Sequence, residues 1–213
     1  MANCKMIYIV RHGQTDFNLR GIVQGSGVDS SLNETGRHQA RHFYERYREV
    51  PFDAVLTSSL KRTWETVEGF INDGIPWEKH PDINEMCWGS HEGKLGTPDS
   101  IEEYQRIKNG WGAGQLDGRI GGGESARELG ERLERFIDHL RTRKEERILI
   151  CSHGRAMCGL VTLMMSRPLP RMNELRHSNL GLWLARQEPD QRFEFELLND
   201  RGHIPEPLKT DQW

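Results

Sequence analysis

Four cysteines in 213 residues, at positions 4, 87, 151 and 158, are too few and too scattered for a disulfide framework. No pair has the C-x-x-C spacing of a metal ligand set. Cys4 and Cys151 lie in or beside apolar runs, which suits buried thiols, so a reducing, cytoplasmic compartment is expected. Long apolar runs are missing as well, and none approaches the ~18 residues of a membrane helix. Met1 to Val10 is cut off by Arg11 too soon for a signal peptide, so no membrane partner is expected. Positive charge is not in excess either. The formal charge is −3, which excludes a global basic field for nucleic acid and leaves any anion site to a local cluster of arginine and histidine. Repeats, low-complexity tracts and linkers are absent. A single domain over residues 1–213 is expected, long enough to bury a sizeable core.

What is present alternates in type. Lys5–Val10, Ala54–Thr57 and Arg147–Cys151 are short apolar runs rich in β-branched residues and read as buried strands. Trp77–Ile83 reads as a further short strand, and Leu180–Ala185 and Phe193–Leu198 as two closing strands. Helices are expected from Asn33, a good N-cap, to about Glu49, and then over Leu60–Ile71, Ser100–Asn109, Ser125–Arg143 and Ala156–Met165. Gly110–Gly123 is read as a glycine-rich loop. Strands alternating with helices imply an α/β fold, a three-layer α/β/α sandwich around a mainly parallel sheet.

Ligands of such sheets sit beyond the carboxyl ends of the strands. The first strand ends at Arg11-His12-Gly13. The second ends at Ser58-Ser59, with Arg62 one turn later, and the third ends at Ser152-His153-Gly154. The topology therefore delivers Arg11, His12, Arg62 and His153 to one edge. Two guanidinium groups can hold a phosphate by paired hydrogen bonds. A neutral imidazole can attack phosphorus and split one displacement into two. A second imidazole can donate to the charge that builds on the phosphoryl oxygens. Glu85, in the segment Asn84 to Gly89, is placed to give a proton to the leaving alkoxide and then to take one from water. Arginine supplies the positive charge, so neither a metal nor another cofactor is expected.

Arg11-His12-Gly13-Gln14-Thr15 with Asn18 resembles the R-H-G-x-T…N signature of the histidine phosphatase superfamily, the phosphoglycerate-mutase-like family. Further segments resemble its other motifs in the same order: Gln24-Gly25, then Asp29-Ser30 and Leu32; Gly36-Arg37-His38-Gln39-Ala40; Ser58-Ser59 through Arg62-Thr63. The rest follow as Glu85 to Gly93, Gly122-Gly123-Glu124-Ser125, Ser152-His153-Gly154, and Asn199-Asp200 with His203. The resemblance implies the phosphoglycerate-mutase-like fold. It implies His12 as the phosphorylated nucleophile, Glu85 as proton donor, and Arg11, Arg62 and His153 as phosphate ligands. Asn18, Gln24, Gly25 and Gly154 would line the substrate pocket. Members of this family are often dimers, so a homodimer is compatible with it.

Departures point toward one branch. Mutases of this family usually carry Glu at the place of Gln14, Trp at the place of Phe17, Arg-x-Tyr-Gly after the catalytic Glu, and a pair of adjacent arginines in a longer insertion. Here the segment after Glu85 is Met86-Cys87-Trp88-Gly89, and Lys94–Gly123 holds no Arg-Arg pair. The expected activity is a phosphomonoesterase acting on a small phosphorylated metabolite. A cofactor-dependent phosphoglycerate mutase and a non-catalytic phospho-ligand binder remain the alternatives. Lys94–Gly123 is expected to roof the pocket, where Trp88, Tyr104 and Trp111 either stack on the organic half of a substrate or pack. Arg155, directly after Gly154, is an unusual extra cation near the pocket, and His203 fits a structural role as well as a functional one.

Overall fold

The computed structural model describes residues 5–210, so Cys4 and the extreme N-terminus lie outside the described residues. One six-stranded sheet runs in the order β3-β2-β4-β1-β5-β6. The strands are β1 (Lys5–Arg11), β2 (Ala54–Thr57), β3 (Trp77–Lys79), β4 (Arg147–Ser152), β5 (Leu182–Gln187) and β6 (Phe193–Asp200). β1 to β4 are mutually parallel, and β5 and β6 add an antiparallel edge. The helices are α1 (Asp16–Arg20), α2 (Glu34–Tyr47), α3 (Lys61–Thr66), α4 (Glu68–Asn72), α5 (Pro98–Gly112), α6 (Ala126–Thr142) and α7 (Gly154–Met164).

The period-two alternation of strand side chains explains the three layers. Ile7, Ile9, Leu56, Ile148 and Ile150 point to one face and pack on Leu129, Leu133 and Phe136 of α6 and on Leu160 and Val161 of α7. Val10, Val55, Leu149 and Cys151 point to the other face and pack on Phe43 of α2 and Phe70 of α4. Both faces of the parallel strands are thus covered, and they read as continuous apolar runs. Among the described residues no helix is long and apolar enough to cross a membrane.

Several boundaries differ from the sequence reading, each for a local reason. The run Leu60–Ile71 is broken at Val67 into α3 and α4. Just before the break, the Thr66 hydroxyl donates back to the Arg62 carbonyl at 2.6 Å and accepts from the Gly13 amide at 2.9 Å, a back-bond that bends helices. The strand expected over Trp77–Ile83 stops at Lys79, because Pro81 opens a 3₁₀ turn over Pro81–Ile83. α1 follows directly on Thr15 and is not among the helices expected from the sequence. Thr15 and Asn18 form a reciprocal capping box there. Gly110 and Gly112 belong to α5 rather than to the loop, and Trp111 between them is fully buried in the core and donates to the Gly118 carbonyl at 2.9 Å. Trp111 is therefore a packing residue and not a stacking surface.

Candidate active site

The carboxyl ends of β1, β2 and β4 meet as the topology required. β1 and β4 are in register through Arg11 and Ser152, and the His12 amide donates to the Ser152 carbonyl at 3.0 Å. His12 and His153 therefore follow neighbouring strands at the same level, and their ring centroids are 5.2 Å apart. His12 Nδ1 lies 2.7 Å from the Gly13 carbonyl oxygen. A carbonyl can only accept, so Nδ1 carries the proton and Nε2 keeps its lone pair. Burial, then the charges of Arg62 and Arg11, holds the imidazole well below its ordinary pKa, so the ring is neutral at neutral pH. On the other side, Asn179 fixes the segment by donating from Nδ2 to the His12 carbonyl at 2.8 Å.

His153 is oriented differently. Its Nδ1 accepts from Arg62 Nε at 3.1 Å, which leaves the proton on Nε2, 2.7 Å from Ser58 Oγ. Burial and the nearby Arg62 also hold this ring well below the usual histidine range. Arg62 is fully buried, and its pKa falls to about 10 through desolvation. Two carbonyls, Val28 at 2.7 Å and Gly25 at 3.3 Å, accept from its Nη atoms. Three of the five guanidinium protons are used by these bonds, and two remain for a ligand. Arg11 reaches the His177 carbonyl from Nη1 at 2.7 Å. Its guanidinium also lies against Gly154, where an added Cβ would stand 3.5 Å from it.

Glu85 is buried at the start of α7. Its Oε1 accepts from the amides of Met86 at 2.8 Å and Ala156 at 3.0 Å, and its Oε2 from the amide of Arg155 at 3.1 Å. The first turn of a helix leaves such amides without intrahelical partners, so the carboxylate serves as their cap. The segment before it is pinned by Arg132, which donates to the carbonyls of Asp82 at 2.6 Å and Asn84 at 2.9 Å. The same guanidinium pairs with both oxygens of Glu124 at 2.6 and 2.9 Å. Neither Arg132 nor Ser58 was singled out in the sequence by itself. Both act through the backbone or through another side chain, and no spacing rule reports that.

The structure brings Arg11, His12, Arg62, Glu85, His153 and Gly154 together. Gly25 joins them through its carbonyl. An added Cβ there would lie 2.7 Å from the Met86 carbonyl and overlap the Glu92 carboxylate, so only glycine fits. Asn18, in α1, and Gln24, in the loop that follows it, have their side chains engaged locally. Asn18 Oδ1 accepts from the Thr15 amide at 3.2 Å. Gln24 donates to Thr15 Oγ1 at 2.8 Å and accepts from Ser30 Oγ at 2.5 Å. His203 is packed against Phe43 and Tyr47, at centroid distances of 5.2 and 5.5 Å, on the face covered by α2. That is a structural place. A neutral nucleophilic imidazole, a second imidazole, two guanidinium groups and a buried carboxyl can bind a phosphoryl group and exchange it between oxygen and nitrogen.

Comparison with known proteins agrees with this geometry. The profile of the histidine phosphatase superfamily (branch 1) matches residues 7–201. A protein of Serratia proteamaculans named "Probable phosphoglycerate mutase GpmB" is 34% identical over 179 residues, covering 83% of this chain and 82% of that one. A "Probable phosphatase" of Schizosaccharomyces pombe is 34% identical over 154 residues, covering 70% of this chain and 68% of its own. The alpha-ribazole phosphatase of Shigella flexneri superposes with a TM-score of 0.80 at 25% identity, over 92% of this chain and 96% of that one. With the motifs, the sheet order and these matches in agreement, the chain belongs to the histidine phosphatase superfamily, branch 1, whose members here are enzymes of phosphatase or mutase type.

Proposed function

We propose that the protein is a phosphomonoesterase that hydrolyses a small phosphorylated metabolite through a phosphohistidine on His12, without a metal ion. Arg11 and Arg62 hold the phosphoryl oxygens, and His153 turns its Nε2–H from Ser58 Oγ to one of them when the ester binds. His12 Nε2 attacks phosphorus, the P–O bond to the alcohol breaks, and Glu85 passes its proton to the departing alkoxide. Glu85, now ionised, takes a proton from water. The water oxygen attacks phosphorus, the P–N bond breaks, and inorganic phosphate leaves. The observation that carries this reading is the 2.7 Å contact from His12 Nδ1 to the Gly13 carbonyl, which leaves Nε2 unprotonated beside Arg62 and His153. Asn18, Gln24 and Gly25 shape the wall of the pocket in this proposal.

Hydrolysis is favoured over mutase chemistry because Arg119, one of the two arginines in Lys94–Gly123, pairs with both oxygens of Glu128 at 2.7 Å. The name of the Serratia relative favours the mutase reading. Phosphate release from a panel of phosphomonoesters, with chelator present, decides the first point. His12→Ala should lower it by at least about 10³-fold, and acid-labile phosphate should be trapped on the wild-type protein only. Release that survives the substitution overturns the proposal. Interconversion of phosphoglycerates on addition of a bisphosphoglycerate primer would establish the mutase instead.

A further inference from the structure

Beyond Glu85 the site continues into a polar cluster that the reaction above does not use. Arg155 lies in the first turn of α7, and its amide holds Glu85 Oε2 at 3.1 Å. Its side chain runs to the Tyr104 hydroxyl at 2.6 Å and to Asn173 Oδ1 at 3.1 Å. Both partners are neutral, and among the described residues no ion pair includes Arg155. Arg155 is half-buried, and the one carboxylate whose charge acts on it, Glu85, bonds to its backbone amide and not to its guanidinium, which leaves the guanidinium without an ion pair.

His177 adds a second deficit. It is 4% exposed and lies against Trp183 at a centroid distance of 4.9 Å. Neither of its ring nitrogens has a hydrogen-bond partner. Burial, then the neighbouring charges of Arg11 and Arg155, pushes its pKa down to about 3, so it is neutral with one N–H to give. Its own carbonyl holds Arg11, which ties it to the phosphate cradle. A simple strut between α5 and the 169–174 turn would need neither a full positive charge at Arg155 nor a donor at His177. One negatively charged oxygen group would satisfy both.

We infer that Arg155 and His177, with Tyr104 and Asn173, form a second anion subsite beside Glu85. It takes a carboxylate or a second phosphate carried by the alcohol half of the substrate. The contact between the Arg155 amide and Glu85 places the subsite on the side where the alcohol leaves, an orientation that rests on the phosphomonoesterase reading. The substrate class is then a phosphomonoester whose leaving group is itself an anion.

Three esters of similar size test this: glycerol 3-phosphate, 3-phosphoglycerate and glycerol 1,3-bisphosphate. The wild-type protein should favour one or both of the doubly anionic esters in kcat/KM by at least about tenfold over glycerol 3-phosphate. Which of the two leads identifies the second group as carboxylate or phosphate. Arg155→Met should reduce that preference by about tenfold or more, with Arg155→Lys restoring part of it and with inhibition by inorganic phosphate reporting the cradle. If Arg155→Met does not fold, Arg155→Lys and Arg155→Gln carry the same ratio. Equal rates for all three esters, or a preference that Arg155→Met leaves unchanged, overturns the subsite. If no ester is turned over, the same ligands are titrated into the His12→Ala protein. An affinity preference that depends on Arg155 then upholds the subsite while the phosphomonoesterase reading falls, and no such preference overturns the subsite as well.

Discussion

The proposed phosphate cradle and Lys94–Gly123, the segment expected from the sequence to roof it, are built by different means. In the cradle, Arg62 and His153 show no surface to solvent, and every placed side chain is fixed by a strand end or by a neighbour that is itself buried. In the roof, Lys94–Gly123, Leu95 and Ile101 are 61% and 54% exposed, and the ion pairs that flank it, Arg119–Glu128 and Arg127–Asp117, lie in solvent. Exposed pairs of that kind contribute little, roughly 0–1 kcal/mol each. Trp111 and Ile120 anchor this segment in the core. Under the proposed function the contrast teaches a division of labour: generic phosphoryl chemistry sits on the rigid sheet edge, while the choice of ester is left to segments that can vary without disturbing it.

The sharpest way to break the contrast is at the anchor. Trp111→Ala removes a fully buried side chain and should destabilise the protein by about 3–5 kcal/mol. In the folded fraction, affinity for inorganic phosphate should survive, which titration of that anion checks. Loss of phosphate affinity in folded protein would show that the cradle depends on the roof.

The seam between the two regions is Arg132, whose side chain and that of Glu124 are 12% and 15% exposed. Arg132→Met should cost about 3 kcal/mol, mainly because it strands a half-buried carboxylate. It should also lower kcat, since the backbone carrying Glu85 loses its clamp. Denaturant unfolding measures the first effect, and turnover of the best ester the second. A kcat as high as that of the wild type would mean that the three amides on Glu85 position it alone.

The smallest effect concerns pH. His12, His153 and His177 have folded pKa values below the ordinary 6.5 because burial and nearby arginines oppose their charge. Below pH 6.5 the unfolded chain therefore binds more protons than the folded one, and stability falls as pH falls from 6.5 toward the folded values. For His177 that window reaches down to about 3. Each such histidine contributes a slope of roughly 1 kcal/mol per pH unit. His177→Phe should make the decline between pH 6.5 and 5 shallower by about that amount. An unchanged slope in denaturant unfolding across that range would mean that His177 is not held neutral.

Some of this was legible before any coordinates. The three strand ends at Arg11, Ser58 and Ser152 are local facts of composition, and a parallel sheet brings such ends together whatever the details. Glu85 was legible as a candidate acid from its segment and became specific through the resemblance, while nothing in its own neighbours says that three amides cap it. Gln24 was legible as a pocket residue only through the resemblance, and that its amide bridges Thr15 and Ser30 is an approach the chain order does not predict.

The sequence by itself determined the alternation of strands and helices, the sheet edge that carries the chemistry, and the types of side chain sent there, because periodicity and strand termination are encoded within a few residues. Only the tertiary structure decided which imidazole nitrogen carries the proton, why Arg132 matters, and that Trp111 is core. It also decided that the Arg155 guanidinium meets only neutral hydrogen-bond partners and that the ring nitrogens of His177 have none. Each of those depends on partners tens of residues away in the chain, and burial and hydrogen-bond geometry exist only once those partners have met.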